Sequence, residues 1–307
     1  MSGVTDVLNS AACELCPRRC RVRRGEAMGY CGAGRRMRVY RHAPHHGEEP
    51  PLSGRNGSGT VFFGSCTMRC VYCQNYRWSQ AGEGRDCSAV ELADMLLELH
   101  ARGCHNWNLV SPTPWLPDIL RALDMVKARG VSLPVVYNTS GFERPEVIRE
   151  LGGKVSIYLA DLRYAEPGSA AAGSDAPSYV ETARLALREM WSMVGPLRLD
   201  AAGLARTGLI CRVLVLPGRA REACASLEWL AENLGTDVAV SLMGQYTPAH
   251  LAGRMVGWNR TVTATEYQLA VDCLEKLGFG TGWLQEHAAC PEELFGVNMP
   301  SDQAAGN

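Results

Sequence analysis

The 307-residue sequence lacks the features that would place it in a membrane or give it a general affinity for nucleic acid. No apolar run reaches the length of about 18 residues that a spanning helix needs; the most apolar strand-like stretch is interrupted by Arg212. No charge of one sign is in excess, because 31 basic and 32 acidic residues leave a net charge of −1. The first residues lack the apolar region of a signal peptide. These absences predict a cytoplasmic protein without a membrane segment or a clear nucleic-acid partner.

Cysteine, in contrast, is abundant, with 13 copies. Seven of them fall in two groups, which are Cys13, Cys16, Cys20 and Cys31, and then Cys66, Cys70 and Cys73. The odd total and the missing signal peptide argue against a disulfide framework, and clustered thiols in a reducing compartment more often ligate metals. The other six cysteines are scattered, and we expect most of them to be buried thiols or to lie on helix faces.

Composition divides the chain into three parts. Residues 1–54 are rich in cysteine and arginine and poor in large aliphatic side chains, so this segment needs a bound metal to stabilise it. Residues 55–290 alternate strand-like and helical patterns and are predicted to form the main domain. Residues 291–307 form a polar tail.

The main domain contains six strand–helix alternations. Strands are predicted at 60–63, 106–110, 134–137, 155–159, 209–216 and 238–242, and helices at 115–129, 145–151, 179–193 and 222–234. Two further helices are predicted to begin at the capping boxes Ser88–Glu91 and Thr263–Glu266. This alternation predicts a parallel sheet with right-handed crossovers, and both a doubly wound sheet and a partial barrel satisfy it.

The three cysteines at Cys66, Cys70 and Cys73 follow the first predicted strand with the spacing C-x3-C-x2-C. Three thiolates on one short loop can hold three irons of a four-iron cluster. Because no fourth cysteine lies nearby, the fourth iron would stay open to a small molecule. Three thiolates and a water also make a zinc site, so zinc is the alternative.

This motif and its surroundings resemble those of radical S-adenosylmethionine (SAM) enzymes. The similarity is to the branch named for pyruvate formate-lyase activating enzyme, and it includes residues 13–20, 29–34, 63–76, 108–113, 137–141 and 241–248. It implies an α/β fold, a partial (β/α)6 barrel of radical SAM type with a cysteine-rich N-terminal extension, and a cluster at the carboxyl ends of the strands. It also implies that SAM binds the open iron and is cleaved to a 5′-deoxyadenosyl radical, which abstracts a hydrogen atom.

The resemblance assigns further residues to SAM binding. The expected set is Tyr72, Asn75, Ser111, Thr113, Asn138, Asp161 and Arg212. Tyr72 fills the aromatic position of the cysteine motif, which packs near the adenine. Ser111 and Thr113 stand where most members carry Gly-Gly-Glu. Backbone carbonyls and two hydroxyls can accept hydrogen bonds from the SAM amino group there, but the contact of the glutamate has no equivalent. Asp161 and Arg212 lie on apolar strands, where an ionised side chain is expected to have a partner. They either face the barrel mouth and bind SAM, or they form a structural ion pair or lie on the outer face of the barrel.

The four N-terminal thiols of Cys13, Cys16, Cys20 and Cys31 have the spacing C-x2-C-x3-C-x10-C. Four cysteines satisfy either tetrahedral zinc or an iron–sulfur cluster. A closed, structural site is the favoured interpretation because four thiolates fill the coordination, and an electron-transfer cluster is the alternative. The neighbouring arginines would offset the negative charge of the thiolates.

The resemblance implies an oxidoreductase that binds a [4Fe-4S] cluster and SAM and takes electrons from a donor such as flavodoxin or ferredoxin. Its substrate, a protein or a small molecule, is not identified by the sequence. One alternative is an activase that installs a glycyl radical on a partner protein. However, Asn138 replaces an aspartate of such activases, and the stretch at Gln245 and Tyr246 lacks their histidine. The other alternative is a redox-inert, zinc-binding interaction protein.

Overall fold

A computed structural model describes residue 8 and residues 12–285. Its strands are β1 (Met37–His45), β2 (Ser58–Phe63), β3 (Arg85–Cys87), β4 (Trp107–Val110), β5 (Val135–Thr139), β6 (Ile157–Asp161), β7 (Arg198–Leu199), β8 (Ala205–Leu214), β9 (Ala239–Met243) and β10 (Gly282–Leu284). Its α-helices are α1 (Pro50–Ser53), α2 (Tyr76–Ser79), α3 (Ala89–Ala101), α4 (Leu116–Ala128), α5 (Pro145–Glu150), α6 (Pro167–Ser174), α7 (Tyr179–Val194), α8 (Ala220–Leu234) and α9 (Ala264–Leu277). No helix within residues 12–285 is long and apolar enough to cross a membrane. The predicted tail, 291–307, and Cys290 lie outside the described residues.

The strands form one sheet in the order β10-β9-β8-β6-β5-β4-β2-β1-β3, with β7 paired to β8. The strands from β10 to β2 along this path run parallel. β1 is antiparallel to both β2 and β3. Within the described residues, the sheet does not close between β3 and β10. The parallel strands from β2 to β10 follow one another in chain order, without the reversal of strand order that a doubly wound sheet has. The fold is therefore the predicted partial barrel and not the doubly wound alternative.

The predicted strands and helices are all present, with boundaries that differ from the predicted ones by at most four residues. The six predicted strands are β2, β4, β5, β6, β8 and β9. Both capping boxes form: the Ser88 and Thr263 hydroxyls accept the backbone N–H of Glu91 and Glu266, at the starts of α3 and α9. Seven elements were not predicted, namely β1, α1, α2, β3, α6, β7 and β10. β1 lies inside the predicted N-terminal segment 1–54, so the barrel sheet extends into that segment.

The short helix α1 fills the barrel at the amino ends of its parallel strands. The turn that contains α1 connects His45, at the end of β1, with Ser58, at the start of β2, and these two residues are paired. Leu52 is fully buried and packs in one cluster with residues near the amino ends of their strands, such as Val136 and Ile157. Because α1 fills the amino ends, the carboxyl ends of the strands stay open, and in barrels of this kind the functional site lies there.

Candidate active site

A cavity of about 440 Å³ lies at the carboxyl ends of the parallel strands. Its wall includes the last or next-to-last residues of strands along the sheet, among them Val110, Thr139, Asp161, Leu214 and Met243. Cys66, Cys70 and Cys73, from the loop between β2 and α2, line the same cavity. Pockets of about 300–1,000 Å³ enclose ligands of medium size. The cavity therefore brings the three predicted cluster thiols and the strand ends to one ligand-sized space.

Cys70 is the most heavily hydrogen-bonded of these three thiols. Its Sγ accepts a hydrogen bond from Arg163 Nη1 at 3.2 Å and another from Ser174 Oγ at 3.0 Å. Arg163 also donates from Nε to Asp161 Oδ2 at 2.8 Å. A sulfur atom surrounded by donors, one of them charged, is suited to the thiolate form that binds iron.

The other two thiols are also contacted by donors, and both are partly buried. Cys73 Sγ lies 3.3 Å from Ser79 Oγ, and Cys66 Sγ accepts the backbone N–H of Met68 at 3.5 Å. Burial raises the pKa of Cys66 to about 12, and it also raises the pKa of Cys73. In the absence of metal both thiols are protonated near neutral pH, so binding of iron releases protons.

The backbone beside the cavity is strained at two residues that are not glycine. Ser65, directly before Cys66, has φ of 73°, and Ser111, directly after β4, has φ of 57°. Such left-handed conformations are uncommon for residues with a Cβ and concentrate at functional sites. Ser111 is held by its own N–H, which donates to the carbonyl of Asn138 at 2.9 Å. Ser111 stands at the start of the stretch that resembles Gly-Gly-Glu in other sequences, and it has a backbone conformation that favours glycine.

Six of the seven expected SAM-binding residues line the cavity, which are Tyr72, Asn75, Ser111, Asn138, Asp161 and Arg212. Thr113 requires a correction, because it does not line this cavity. Its side chain is 3% exposed, and its hydroxyl donates to Glu143 Oε1 at 2.6 Å. The chain enters a 3-10 turn at Thr113–Trp115 immediately after Pro112, and Thr113 borders the N-terminal cysteines instead.

Arg212 faces the cavity, but its guanidinium is already paired. Nε donates to Glu49 Oε1 at 2.8 Å, Nη2 donates to Glu49 Oε2 at 2.7 Å, and Nη2 also pairs with Glu48. Burial opposes ionisation of Glu49, but Arg212 outweighs it and holds the pKa of this carboxyl below its ordinary value. The expectation that Arg212 binds SAM is therefore modified: it is the centre of an ion-pair network in the cavity wall. Glu48 and Glu49 were missed because nothing in the sequence connects the residues before α1 with β8.

Arg163 was also missed, although the sequence contains a signal for it. It lies two residues beyond Asp161, and alternate residues at the end of a strand project to the same side. Both side chains line the cavity, and Arg163 bridges Asp161 to Cys70. Asp161 thus has the partner that was expected for it.

Tyr72 is held by aromatic packing and by a chain of hydroxyl groups. Its ring stacks on Trp258 with a centroid distance of 5.5 Å, and its Oη lies 2.6 Å from Tyr164 Oη. Tyr164 Oη lies 2.6 Å from Ser174 Oγ, which donates to Cys70 Sγ. The tyrosine of the motif is therefore fixed in position and connected to a cluster thiol through two hydroxyl groups.

Glu143 is a buried carboxyl group between the two cysteine groups. Its Oε1 accepts the hydroxyls of Thr113 at 2.6 Å and Thr139 at 2.5 Å. Its Oε2 is buried without a hydrogen-bond partner in the described part of the chain. Burial raises the pKa of Glu143 to about 7. Thr139 lines the main cavity and Thr113 borders the N-terminal thiols, so the carboxyl connects the walls of both sites.

The four N-terminal thiols come together at a second, much smaller cavity of about 10 Å³, and Cys13, Cys16, Cys20 and Cys31 all line it. Arg24 Nη2 lies 3.2 Å from Cys13 Sγ. Gly29 leaves room for Cys20, because a Cβ at Gly29 would lie 2.7 Å from the Cys20 sulfur. Burial raises the pKa of Cys16 to about 12 and also raises the pKa of Cys31. Within residues 12–285 no three histidine, cysteine or carboxylate side chains are placed to hold a single metal ion.

The family model of the radical SAM superfamily matches residues 60–162. The chain contains a radical SAM domain. This match includes the three cysteines of the β2–α2 loop, and it confirms the predicted superfamily. Radical SAM domains bind a [4Fe-4S] cluster and SAM, so these are the cofactors of this chain.

Individual relatives are distant. An uncharacterized protein of Methanocaldococcus jannaschii is 27% identical over 279 residues, which cover 86% of this chain and 74% of that protein. A domain of pyruvate-formate lyase-activating enzyme from Bacteroides vulgatus matches with a TM-score of 0.37 and 17% identity over 53% of this chain and 87% of the other. Streptococcus suis SuiB bound to S-adenosylmethionine matches with a TM-score of 0.47 and 10% identity over 72% of this chain. This chain spans 48% of that SuiB chain.

The residues of the main cavity fit both cofactors of the radical SAM domain. Cys66, Cys70 and Cys73 would hold three irons, and the donors around their sulfurs suit thiolates. Each thiolate of a four-iron cluster binds a different iron, so these sulfurs need not converge on one ion. The polar side chains and strand-end backbone that share the cavity provide donors and acceptors for the zwitterionic part of SAM.

Proposed function

We propose that this protein cleaves SAM reductively and abstracts a hydrogen atom from a substrate that approaches the cavity at the carboxyl ends of the strands. The observation that carries the proposal is the convergence of Cys66, Cys70 and Cys73 on a single ligand-sized cavity with Asn138 and Asp161. A bound SAM molecule would occupy much of the 440 Å³. The substrate therefore meets SAM at the opening of the cavity, where either a small molecule or a segment of another protein can approach.

Cys66, Cys70 and Cys73 would hold the cluster, which would supply the electron that reductive cleavage of SAM requires. The protein supplies position and charge. Arg163 and Ser174 hold the Cys70 sulfur in place, and Arg163 spreads positive charge between that sulfur and Asp161. The backbone at Ser111 and the side chain of Asn138 offer the polar atoms that bind the SAM amino and carboxylate groups.

Cleavage of SAM requires an electron donor, and the thiols require a reducing compartment. A one-electron donor of low potential, such as flavodoxin or ferredoxin, must reduce the cluster before SAM is cleaved. The unpaired thiols of Cys66, Cys70 and Cys73 must also stay reduced until iron binds. Both requirements are met in the cytoplasm.

Replacement of a cluster thiol tests the proposal. Cys70→Ala, reconstituted anaerobically with iron and sulfide, should lose the SAM-cleaving cluster because two thiolates seldom retain it. We expect formation of 5′-deoxyadenosine from SAM and dithionite to fall to background. Cys104→Ala is the matched control, because Cys104 is a buried thiol outside both cysteine groups, and it should keep the activity. Undiminished 5′-deoxyadenosine from Cys70→Ala would refute the proposed function.

A further inference from the structure

Two of the scattered cysteines face each other across the helices α8 and α9. Cys224 belongs to α8, and its thiol donates to the backbone carbonyl of Leu269 on α9 at 3.7 Å. In the opposite direction, the Cys273 thiol of α9 donates to the backbone carbonyl of Cys224 at 3.9 Å. Leu269 lies about one helical turn before Cys273, so its carbonyl points along the helix toward that residue. Each thiol therefore lies against the other helix beside the other cysteine.

The two thiols also contact each other. Burial is the main cause that raises the pKa of Cys273 to about 12, and the charge and the hydrogen bond of the neighbouring Cys224 thiol add to it. Sulfur atoms at hydrogen-bonding distance can reach the disulfide length of about 2.05 Å through changes of side-chain rotamer. Two small residues, Ala220 and Ala270, are buried one turn before the cysteines on the same helix faces. Small side chains there allow α8 and α9 to approach closely.

Solvent reaches this pair, in contrast to the other scattered thiols that the structure describes. Cys224 and Cys273 are partly buried, whereas Cys87, Cys104 and Cys211 are at most 3% exposed. Within residues 12–285, no cysteine is among the groups that raise the pKa of these three thiols. The pair on α8 and α9 therefore combines a neighbouring thiol with access for a small oxidant.

The pair lies outside both groups of proposed metal ligands. Neither Cys224 nor Cys273 lines the main cavity or the small cavity of the N-terminal thiols. However, α9 contacts the wall of the main cavity, because Tyr267 donates to the backbone carbonyl of Gln285 at 2.7 Å and Gln285 lines that cavity. Oxidation of the pair would leave the proposed cluster ligands free and would restrain a helix that supports the cavity wall.

We propose that Cys224 and Cys273 form a reversible disulfide when the protein meets a small disulfide oxidant, of which glutathione disulfide is the example. The Cys224 thiolate attacks glutathione disulfide, which forms a mixed disulfide and releases one glutathione thiolate. The Cys273 thiolate then attacks the Cys224 sulfur, which closes the protein disulfide and releases the second glutathione.

The two steps balance. The two protein thiols lose two electrons and two protons, and one glutathione disulfide gains them as two glutathione thiols. An excess of a dithiol reductant reverses the reaction. No iron, SAM or substrate takes part, so the proposal stands or falls separately from the proposed function.

Peptide mapping of the full chain tests the link. The protein is reconstituted anaerobically with iron and sulfide, equilibrated with glutathione buffers of rising disulfide content, alkylated, digested and analysed by mass spectrometry. We expect a peptide pair joined through Cys224 and Cys273 that grows with the share of glutathione disulfide and disappears after treatment with dithiothreitol. Cys104 is the internal control and should be recovered as the alkylated thiol. Absence of the joined pair in the most oxidising buffer, or joining of either cysteine to a different one, would overturn the proposal.

Cys273→Ser distinguishes a reacting pair from two thiols that react independently. Without the second thiol, Cys224 should retain glutathione as a mixed disulfide, whereas the wild type should release it by closing the protein disulfide. Cys104→Ser is the matched control and should form the joined pair to the same extent as the wild type. A melting curve checks that each variant is folded. Glutathione retained on Cys224 of the wild type as fully as on Cys273→Ser would contradict the pairing.

Discussion

At the scale of single residues, Arg163 places a positive charge beside the Cys70 sulfur, a proposed ligand of the cluster. Its guanidinium donates to Cys70 Sγ at 3.2 Å and is paired with Asp161. Reduction adds negative charge to a cluster, so a cation and a hydrogen bond at one ligand sulfur stabilise the reduced state and raise the reduction potential.

Replacement of this arginine should therefore lower the potential. We expect Arg163→Gln to shift the midpoint potential of the SAM-binding cluster downward by about 60 mV, equivalent to a tenfold change in the one-electron equilibrium. An anaerobic redox titration followed by electron paramagnetic resonance measures the shift. Arg163→Lys keeps the charge and should shift it less. Arg69→Gln is the control, because Arg69 donates to a backbone carbonyl. Equal potentials for Arg163→Gln and Arg69→Gln would contradict this role.

The raised pKa of the buried Glu143 carboxyl predicts that the stability of the protein depends on pH. Burial raises its pKa from 4.5 to about 7. Below pH 4.5 the native and unfolded states are both protonated, so the carboxyl has no effect on stability. Between these two pKa values the unfolded state binds fewer protons than the native state, so the free energy of unfolding falls as the pH rises. The full loss is about 3 kcal/mol and is reached above pH 7.

Glu143→Gln removes this dependence, because glutamine does not titrate and its Oε1 can still accept the hydroxyls of Thr113 and Thr139. The free energy of unfolding of the variant, minus that of the wild type, should be larger at pH 8 than at pH 5. Urea unfolding at the two pH values measures the difference. Glu146→Gln, at a half-exposed carboxylate of the same helix region, should show no such change. A difference between Glu143→Gln and wild type that is the same at both pH values would rule out the raised pKa.

At the scale of elements, α1 has only four residues and yet it completes the barrel. Leu52 is fully buried among side chains of four strands, and Glu49 directly before α1 holds Arg212. The sequence predicted only a turn-rich passage here. The reason is that a helix of four residues has too few positions to show helical periodicity, and its partners on β5, β6 and β8 are distant in the chain.

Truncation of the α1 side chain should destabilise the protein strongly. Leu52→Ala is expected to lower the free energy of unfolding by about 2–5 kcal/mol, because it leaves a cavity that the surrounding strands cannot fill. Urea denaturation measures the loss. Val90→Ala is the control, at a position on α3 that is 51% exposed, and it should change stability by less than about 0.5 kcal/mol. A loss for Leu52→Ala as small as that of the control would show that α1 does not support the barrel.

At the scale of the whole molecule, the sequence predicts the parallel sheet and the cysteine loop well and the cavity wall only in part. Strands such as β6 are short apolar runs, and capping boxes are local, so both can be read without the fold. The ion pair of Glu49 with Arg212 spans 163 positions in the chain and leaves no local pattern. Thr113 was misplaced because a single turn after Pro112 decides which cavity it faces. Its placement depends on the three-dimensional path of the backbone.

The docking of the N-terminal segment has a consequence for synthesis of the protein. Tyr30 donates to Asp175, which is 145 residues farther along the chain, and Arg144 donates to the carbonyl of Glu14. At about 5–20 residues per second, the ribosome needs roughly 7–30 s to make those 145 residues. During this interval the first cysteines have left the ribosome before the surfaces that bury them exist. The N-terminal thiols therefore reach their folded surroundings only after the partner segments of the barrel have been translated, and until then they are exposed.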